Sequence, residues 1–331
     1  MPATAPRRIP VYVVLPPRVL LLDVAGPMEV LRKANLEQRE VHFEVAYVGP
    51  FRKVGSSIGL GISSIAPLPA RLPDGAMVVV PGHADVPEGE PVTSPEQDEN
   101  GQTAIVAWLR KAVRPGIRVL SICSGALLVG RAGLLDGHEC TTHHGCVDEL
   151  AREAPAARVR ENRLYVEDGE RLTSAGITAG IDLMLHVVAG LAGPAIALAV
   201  ARYLVIYLRR AGGDPQISPW LEGRNHLHAA IHRAQDAVTA DPAHDWTVTS
   251  LARVAASSPR NLSRLFNEHA GMSVTDYVNR MRVALARELL TGSRLDVEAV
   301  AERAGFGSAR QWRRAWSRWN EFPPSRMRTS V

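Results

Sequence analysis

A cysteine between a strand-like and a helix-like segment is the residue of this chain best placed for chemistry. Cys123 stands in Ser121-Ile-Cys-Ser-Gly-Ala126, at the end of the apolar run Val119–Ile122. A sharp turn there would project the thiol over the edge of a sheet, where the amides that open the next helix favour negative charge. We therefore expect the pKa of this thiol to be lowered and the thiolate to be favoured.

Three roles are open for Cys123. It could line an effector pocket without turnover, act as a nucleophile, or act as a redox sensor. The second and third roles require thiolate character. We favour the first role, so no catalytic residue is expected, with Cys123 as the candidate nucleophile if the chain is an enzyme.

A segment rich in His and Cys follows the cysteine turn. His138-Glu-Cys-Thr-Thr-His-His-Gly-Cys146 contains zinc-ligand residue types, but their spacing matches no standard ligand pair. Residues 140–143 are also strand-like, and alternate side chains of a strand point to opposite faces. We expect no metal here and no cofactor in the chain.

The last 85 residues contain nearly the same pattern twice. In each copy a helix, a tight turn and a second helix follow one another, over residues 251–266 and 300–316. The outward faces of both second helices carry Arg, Asn, Gln and Ser, which can reach phosphates and base edges in a DNA major groove. Double-stranded DNA is the predicted partner.

The charge distribution supports this prediction. Residues 216–331 hold 16 Arg, no Lys and 11 acidic residues, a net charge of +5, whereas residues 1–215 have a net charge of −1. A positive C-terminal part on a neutral body is typical of a nucleic-acid-binding module.

Two different kinds of periodicity position these residues. The first ~210 residues alternate buried-strand runs with helical stripes, which predicts an α/β fold with a mostly parallel sheet covered on both faces. Residues 84–100 have six acids and three Pro and are expected to form a loop. After a Gly- and Pro-rich stretch at 209–219 the chain is predicted to be all helical, over roughly 224–240, 248–256, 259–270, 274–291, 297–304 and 308–319.

Composition excludes several classes of protein. No apolar run reaches the roughly 18 residues that a membrane span needs, and no signal-peptide hydrophobic region is present. Three cysteines make no disulfide framework and fit a reducing compartment. The expected location is the cytoplasm, without membrane association.

The doubled helical unit resembles the AraC/XylS family of transcription regulators over residues 227–331. The likeness rests on the repeat, on the turn at Gly305-Phe306 and on the closing Pro324-Ser325. Ala256 stands where the first turn of the family has Gly, and a positive φ there would add strain of roughly 1 kcal/mol. The resemblance places the following residues on the DNA-reading faces: Arg260, Asn261, Ser263, Arg264 and Asn267 in the first unit, and Ser308, Arg310, Gln311, Arg313 and Arg314 in the second.

Aromatic residues alternate with arginines in the second unit. Trp312 and Trp316 are spaced as a helical core stripe, and we favour this reading over stacking on bases.

The first ~200 residues resemble the PfpI/ThiJ superfamily, a class I glutamine-amidotransferase-like, flavodoxin-like fold. The motifs are those around Asp23, Val80-Pro-Gly82, Cys123, Thr141-Thr-His143 and Ser174–Asp182, over about 9–208. Within this superfamily the likeness is greatest to isocyanide hydratases, which implies Asp23 as the partner of Cys123 if the chain is an enzyme. A PfpI-like domain followed by an AraC-like domain is the layout of GlxA-type regulators.

The resemblance implies an effector pocket over the cysteine and a function for the whole chain. The effector-binding residues it implies are Asp23, Glu29, Gly82, His83, Cys123, Ser124 and His143. His83 replaces a common second Gly, and His144 stands where the hydratases have Trp. Acidic groups at the pocket would suit a cationic metabolite, and an amino acid or a quaternary amine is the class we favour.

The expected organisation is an N-terminal tail at 1–8, an effector-binding domain at 9–208, a linker at 209–226 and an AraC-type DNA-binding domain at 227–331. A homodimer through the N-terminal domain would pair the readers on DNA half-sites, and RNA polymerase is a further expected partner. The alternatives are a cysteine-dependent hydratase-like enzyme with a DNA-binding appendage, and a regulator switched by oxidation of Cys123.

Overall fold

The computed structural model describes residues 6–84, 94–206, 210–214, 216, 226, 228–293, 295–320 and 323–324. The chain divides into two compact units, Met1–Gln216 and Ile217–Val331. The described residues 210–214 and 216 of the predicted linker belong to the first unit, whereas residues 217–225 of that linker lie outside the described residues, as do residues 1–5 of the predicted tail.

The first unit is built on a central sheet. Its strands and those of two small two-stranded sheets are β1 (Arg7–Val14), β2 (Val41–Gly49), β3 (Lys53–Gly55), β4 (Gly61–Ser63), β5 (Ala66–Pro67), β6 (Met77–Val80), β7 (Arg118–Ile122), β8 (Glu139–Cys140), β9 (Arg158–Val159), β10 (Tyr165–Asp168) and β11 (Arg171–Ser174). Among the described residues the central sheet has the order β10-β11-β7-β6-β1-β2-β5. Its pairs are parallel except β10 with β11.

Helices cover both faces of this sheet. They are α1 (Leu21–Glu37), α2 (Pro95–Ala112), α3 (Gly125–Arg131), α4 (Val147–Glu153), α5 (Thr178–Ala192) and α6 (Pro194–Tyr203). Met77 and Val79 pack with α1, α5 and α6, whereas Val78 and Val80 pack with α2 and α3. This alternation follows from the twofold side-chain period of a strand, and it confirms the predicted α/β fold with a sheet buried on both faces.

The acidic segment at 84–100 differs from the loop that its composition predicts. Residues 85–93 lie outside the described residues, but α2 already begins at Pro95. Ser94 accepts a hydrogen bond from the Gln97 amide, and the Gln97 side chain accepts one from the Ser94 amide. This capping box, with Pro at the first helical position, starts the helix where the acidic composition indicates a loop.

The second unit consists of helices. They are α7 (Ala229–Ala240), α8 (Val248–Val254), α9 (Pro259–Leu265), α10 (Val274–Gly292), α11 (Val297–Arg303) and α12 (Ala309–Trp316), and a π-helical turn, Phe266–Ala270, extends α9. The predicted all-α double helix-turn-helix is confirmed. Both second helices begin in the same way, because Ser258 accepts from the Asn261 amide and Ser308 accepts from the Gln311 amide.

One long helix belongs to the cores of both helix-turn-helix units. Tyr277 and Met281 of α10 pack in the first core, and Ala286 and Leu290 pack in the second. Between them the buried Arg282 donates hydrogen bonds to backbone carbonyls of the α7–α8 loop, those of Pro242 (3.1 Å) and His244 (2.9 Å). The arginine therefore fixes this loop against the middle of α10.

The turns of the two units share a left-handed residue but differ in crowding. Ala256 has φ +49° and Gly305 has φ +81°, so the condition for strain at Ala256 is met. A Cβ at Gly305 would lie 2.5 Å from the carbonyl oxygen of Ala243. Ala256 is exposed, so only its backbone conformation is strained.

Within the parts of the chain that the structure describes, no helix has the length and hydropathy needed to cross a membrane.

These two turns should respond differently to exchange of Gly and Ala. Ala256→Gly removes left-handed strain and should change stability by no more than about 1 kcal/mol in the favourable direction, because Gly also has more freedom when unfolded. Gly305→Ala should destabilise the domain by more than this, since it adds both strain and a backbone clash. Thermal unfolding of both variants measures the difference, and equal and opposite effects would contradict this account of the second turn.

Candidate functional site

The turn at Cys123 has the strained geometry that the sequence predicts. Cys123 has φ +57°, and its amide donates to the carbonyl of Ser174 at 3.0 Å. Two glycines make the turn sterically feasible: a Cβ at Gly125 would overlap the carbonyl of Val80, and a Cβ at Gly176 would overlap the Cys123 side chain. The thiol thus lies at the carboxyl end of β7, enclosed by the loops that follow β6 and β11.

Asp23 connects those two loops. Its carboxylate is fully buried and accepts hydrogen bonds from the amides of Gly82 (3.1 Å) and Ile177 (2.7 Å). Cys123 also hydrogen-bonds this carboxylate. Burial raises the pKa of Asp23 to about 6, although all three hydrogen bonds act to lower it. At neutral pH the site therefore contains a buried negative charge.

The predicted effect on the thiol is wrong in sign. Burial, followed by the charge of Asp23, raises the pKa of Cys123 above its ordinary value, and hydrogen bonding by Ser124 only partly offsets these effects. A start-of-helix position favours thiolate where the sulfur is solvated, but Cys123 is only 4% exposed. Desolvation next to a carboxylate outweighs the helix terminus, so the thiol is protonated at neutral pH.

Ser124 and His83 join the same site. The His83 amide donates to Ser124 Oγ at 3.1 Å, and this hydroxyl donates back to the His83 carbonyl at 3.3 Å. Gly82 is required beneath them, because a Cβ there would lie 2.8 Å from both Asp23 Oδ2 and Ser124 Oγ. The structure therefore brings together Asp23, Gly82, His83, Cys123 and Ser124.

The segment after β8 approaches the cysteine from another side. The fully buried Thr142 donates its hydroxyl to the Cys123 carbonyl at 2.9 Å. The neighbouring His143 is half-buried, and its Nδ1 accepts from the Gly145 amide at 3.2 Å. Burial and the neighbouring His144 lower the pKa of His143, so its imidazole is neutral at neutral pH.

Glu29, a residue of the predicted effector set, lies elsewhere. It is on the exposed face of α1, and its carboxylate pairs with Arg32 at 2.7 Å. Arg32 in turn contacts the hydroxyl of Tyr203 on α6. The structure places Glu29 in a surface group of charged and aromatic residues rather than against Cys123.

Across the described ranges, no three His, Cys, Asp or Glu side chains are arranged to hold a metal ion. Cys140 is buried in the core, and burial raises its pKa to about 11.

The first helix-turn-helix unit exposes a polar face on α9. Arg260, Asn261, Arg264 and Asn267 are exposed, and Ser263 is partly buried. Arg264 pairs with Glu268, and it also donates to Asn261 Oδ1 at 3.2 Å. The first face is therefore internally hydrogen-bonded.

The second unit has a more basic face on α12. Arg310, Gln311, Arg313 and Arg314 are exposed, and Ser308 caps the helix. The inward face contains Trp312 and Trp316, which are buried and meet edge to face at 5.8 Å. The tryptophans therefore belong to the core, as their spacing predicts, and the arginines and Gln311 face outward.

Sequence reasoning missed two groups at the cysteine site. The Ile177 amide binds Asp23, and the Thr142 hydroxyl binds the Cys123 carbonyl. A backbone amide has no signature in residue type. The Thr141-Thr142 pair is the only part of this arrangement with a signature in residue type, because hydroxyls that become buried need hydrogen-bond partners.

Comparison with known proteins assigns both units. The DJ-1/PfpI family matches residues 10–190, and a helix-turn-helix domain family matches residues 251–330. The chain belongs to the DJ-1/PfpI family and joins this domain to an AraC-type helix-turn-helix domain. An α/β sensor-type domain followed by two DNA-reading units defines a class of transcription regulators, and the expected class is confirmed.

Individual relatives agree with this assignment. The chain is 31% identical over 316 residues to the HTH-type transcriptional regulator GlxA of Rhizobium meliloti, covering 93% of this chain and 92% of that protein. It is 32% identical over 216 residues to the regulator CdhR of Pseudomonas aeruginosa, covering 64% of this chain and 63% of that protein. Similarity to the isonitrile hydratase of Pseudomonas putida is 34% identity over 177 residues, 54% of this chain and 69% of the enzyme.

The raised pKa of Asp23 gives the first unit a specific pH dependence. Its folded value of about 6 exceeds its ordinary value of 3.8, so its contribution to stability is fully present below pH ~4 and is lost as the pH rises through about 6. A shift of this size corresponds to about 3 kcal/mol.

We expect the free energy of unfolding of the wild type to fall by about 2–3 kcal/mol between pH 4 and pH 7 relative to that of Asp23→Asn, which cannot ionise. The Asn side chain also changes one hydrogen bond, but that offset does not vary with pH. Proteolysis pulses in increasing urea, with quantification of the surviving N-terminal fragment, measure the free energy of unfolding at each pH. Parallel curves for the two proteins would refute a buried, titrating carboxylate.

Proposed function

We propose that this regulator binds its operator through the exposed faces of α9 and α12 and responds to a small metabolite bound over Cys123. The observation that carries the DNA-binding part is the pair of polar faces on helices fixed to one long helix, α10. Arg, Asn and Gln on such faces have the donor and acceptor groups that read base edges and contact phosphates.

We further propose that the two faces divide the work. The second face presents Arg310, Arg313 and Arg314, which suits phosphate contacts. The first face presents Asn261 and Asn267, which suit adenine recognition. Binding would require Arg264 to exchange its contact with Glu268 for the DNA.

The effector site is proposed to be formed by Cys123 and its neighbours. Gly82, His83, Ser124 and His143 supply its polar edge. The carboxylate of Asp23 is already bound by two amides and that of Glu29 by Arg32. Support for an amino acid or a quaternary amine as effector therefore rests on the resemblance to GlxA-type regulators rather than on a free carboxylate.

An enzyme of the hydratase type is the second candidate, because the chain is similar to an isonitrile hydratase. Two features count against turnover. The Cys123 thiol has a raised pKa, and the amides of Gly82 and His83 that could stabilise a developing negative charge already donate to Asp23 and Ser124. The raised pKa equally disfavours a redox switch, which needs thiolate.

Loss of a reading arginine should weaken operator binding. We expect Arg264→Ala and Arg314→Ala each to reduce affinity by about 1–3 kcal/mol if the side chain reads a base. The matched control is Arg152→Ala, an exposed arginine on α4 of the first unit. Fluorescence anisotropy with an operator obtained by in vitro selection measures the effect, and unchanged affinity for both variants would reject the assigned faces.

Removal of the thiol separates sensing from DNA binding. Cys123→Ala should leave operator affinity without effector unchanged and should alter the dose-response to compounds found by a thermal-shift screen of amino acids and amines. Cys140→Ala, at a buried cysteine outside the site, is the control. An unchanged dose-response would remove Cys123 from the mechanism, whereas turnover of isocyanides that disappears in Cys123→Ala would establish the enzyme instead.

A further inference from the structure

The described residues 210–214 and 216, at the C-terminal end of the first unit, lie against the surroundings of Cys123. We call the described residues 210–214 and 216 the exit strap. Gly212 is in close contact with Tyr165, since a Cβ there would lie 2.6 Å from the Tyr165 carbonyl. The amide of Leu164 donates to the carbonyls of Gly212 and Asp214, both at 3.0 Å. These contacts attach the strap beside the start of β10, the strand at one edge of the central sheet.

One end of the strap is attached to the start of α5. Arg210 Nε donates to Asp182 at 3.0 Å, and the guanidinium also donates to Thr178 Oγ1 at 2.8 Å. Asp182 is buried, and burial raises its pKa while Arg210 lowers it. Thr178 directly follows Ile177, whose amide binds Asp23. Thr178 is therefore adjacent to the residue whose amide binds the Asp23 carboxylate, and this carboxylate lies against Cys123.

The other end is attached to the segment that contacts Cys123 itself. Gln216 Nε2 donates to the carbonyls of Thr142 (2.8 Å) and Arg163 (3.1 Å), and its amide donates to Asn162 Oδ1 at 3.0 Å. Thr142 donates its hydroxyl to the Cys123 carbonyl at 2.9 Å. Two hydrogen bonds therefore connect Gln216 to the backbone of the cysteine turn.

We propose that the exit strap is the element that transmits occupancy of the cysteine site to the DNA-binding domain. A ligand that shifts Thr142 or the first turn of α5 would change the positions of the groups that Gln216 and Arg210 bind. The strap would then detach from Leu164 and Thr142, and the C-terminal end of the first unit would change its conformation. The attached and the detached strap are two conformations of the same chain. A ligand that binds one of them more tightly would shift their populations.

This inference rests on the proposed function, so its first test needs neither effector nor DNA. Thr142→Val removes the hydroxyl that binds the cysteine turn but keeps the carbonyl that accepts from Gln216. Coupling predicts that the amides of Leu164 and Gln216 exchange hydrogen at least about tenfold faster in this variant, measured by NMR or mass spectrometry. Thr142→Ser, which keeps the hydroxyl, should restore protection. Exchange equal to the wild type in Thr142→Val would overturn the coupling.

The second test measures the output. Gln216→Ala and the double variant Arg210→Ala/Asp182→Asn, which avoids an unpaired buried carboxylate, should shift operator affinity without effector at least about fivefold. Arg131→Ala breaks the pair between Arg131 and Glu153 away from the strap and is the matched control. Folding of each variant is checked by thermal unfolding, and Gln216→Ala removes no charge.

The outcomes separate the two proposals. If the wild type selects an operator and the strap variants bind it with the same affinity as Arg131→Ala, the proposed role of the strap is overturned and the proposed DNA-binding function is retained. If the wild type selects no operator, the proposed function fails, and the strap's role in output fails with it. A shift of at least fivefold confined to the strap variants supports the strap.

Discussion

A single buried carboxylate determines the geometry around Cys123. Asp23 accepts the amides of Gly82 and Ile177, and so it joins the loops after β6 and β11, the strands on either side of β7. A carboxylate without these donors would cost too much to bury at neutral pH. The left-handed turns at Cys123 and Ile177, and the glycines that surround them, are the backbone shapes that this arrangement requires.

The second unit uses the opposite charge in a comparable way. Buried Arg282 donates to two loop carbonyls and fixes the α7–α8 loop on α10. Ala243 of the same loop lies close to Gly305, so the turn of the second helix-turn-helix unit packs against the α7–α8 loop. In both units, then, a charged side chain in the interior is hydrogen-bonded to main-chain groups of a loop. Such pairing fixes loops whose own sequence specifies little.

Residue periodicity and local motifs could be read from the sequence. The surroundings of each side chain in the folded protein could not. Helical spacing along α10 and the apolar run of β6 depend on residue type alone, whereas the left-handed turn at Ala256 was indicated by the resemblance to a family that has Gly there. The pKa of Cys123 depends on how much water reaches the sulfur, and sequence shows the helix start but not its burial. The resemblance assigned Glu29 to the pocket, but Glu29 lies on the exposed face of α1 and pairs with Arg32. The helix start at Pro95 was hidden by acidic composition, although Ser94 and Gln97 formed a visible capping box.

The stretch at 209–219 contains Gly and Pro, which indicate turns but do not reveal what the turns pack against. Its described residues satisfy the buried Asp182 and the backbone of Leu164, so they are structurally part of the domain that they leave. This bears on how such two-part regulators arise by gene fusion. A recombination point placed before Arg210 would separate a sensor from the described residues 210–214 and 216 of its own fold, whereas one placed after Gln216 would exchange the output module and leave the sensor intact.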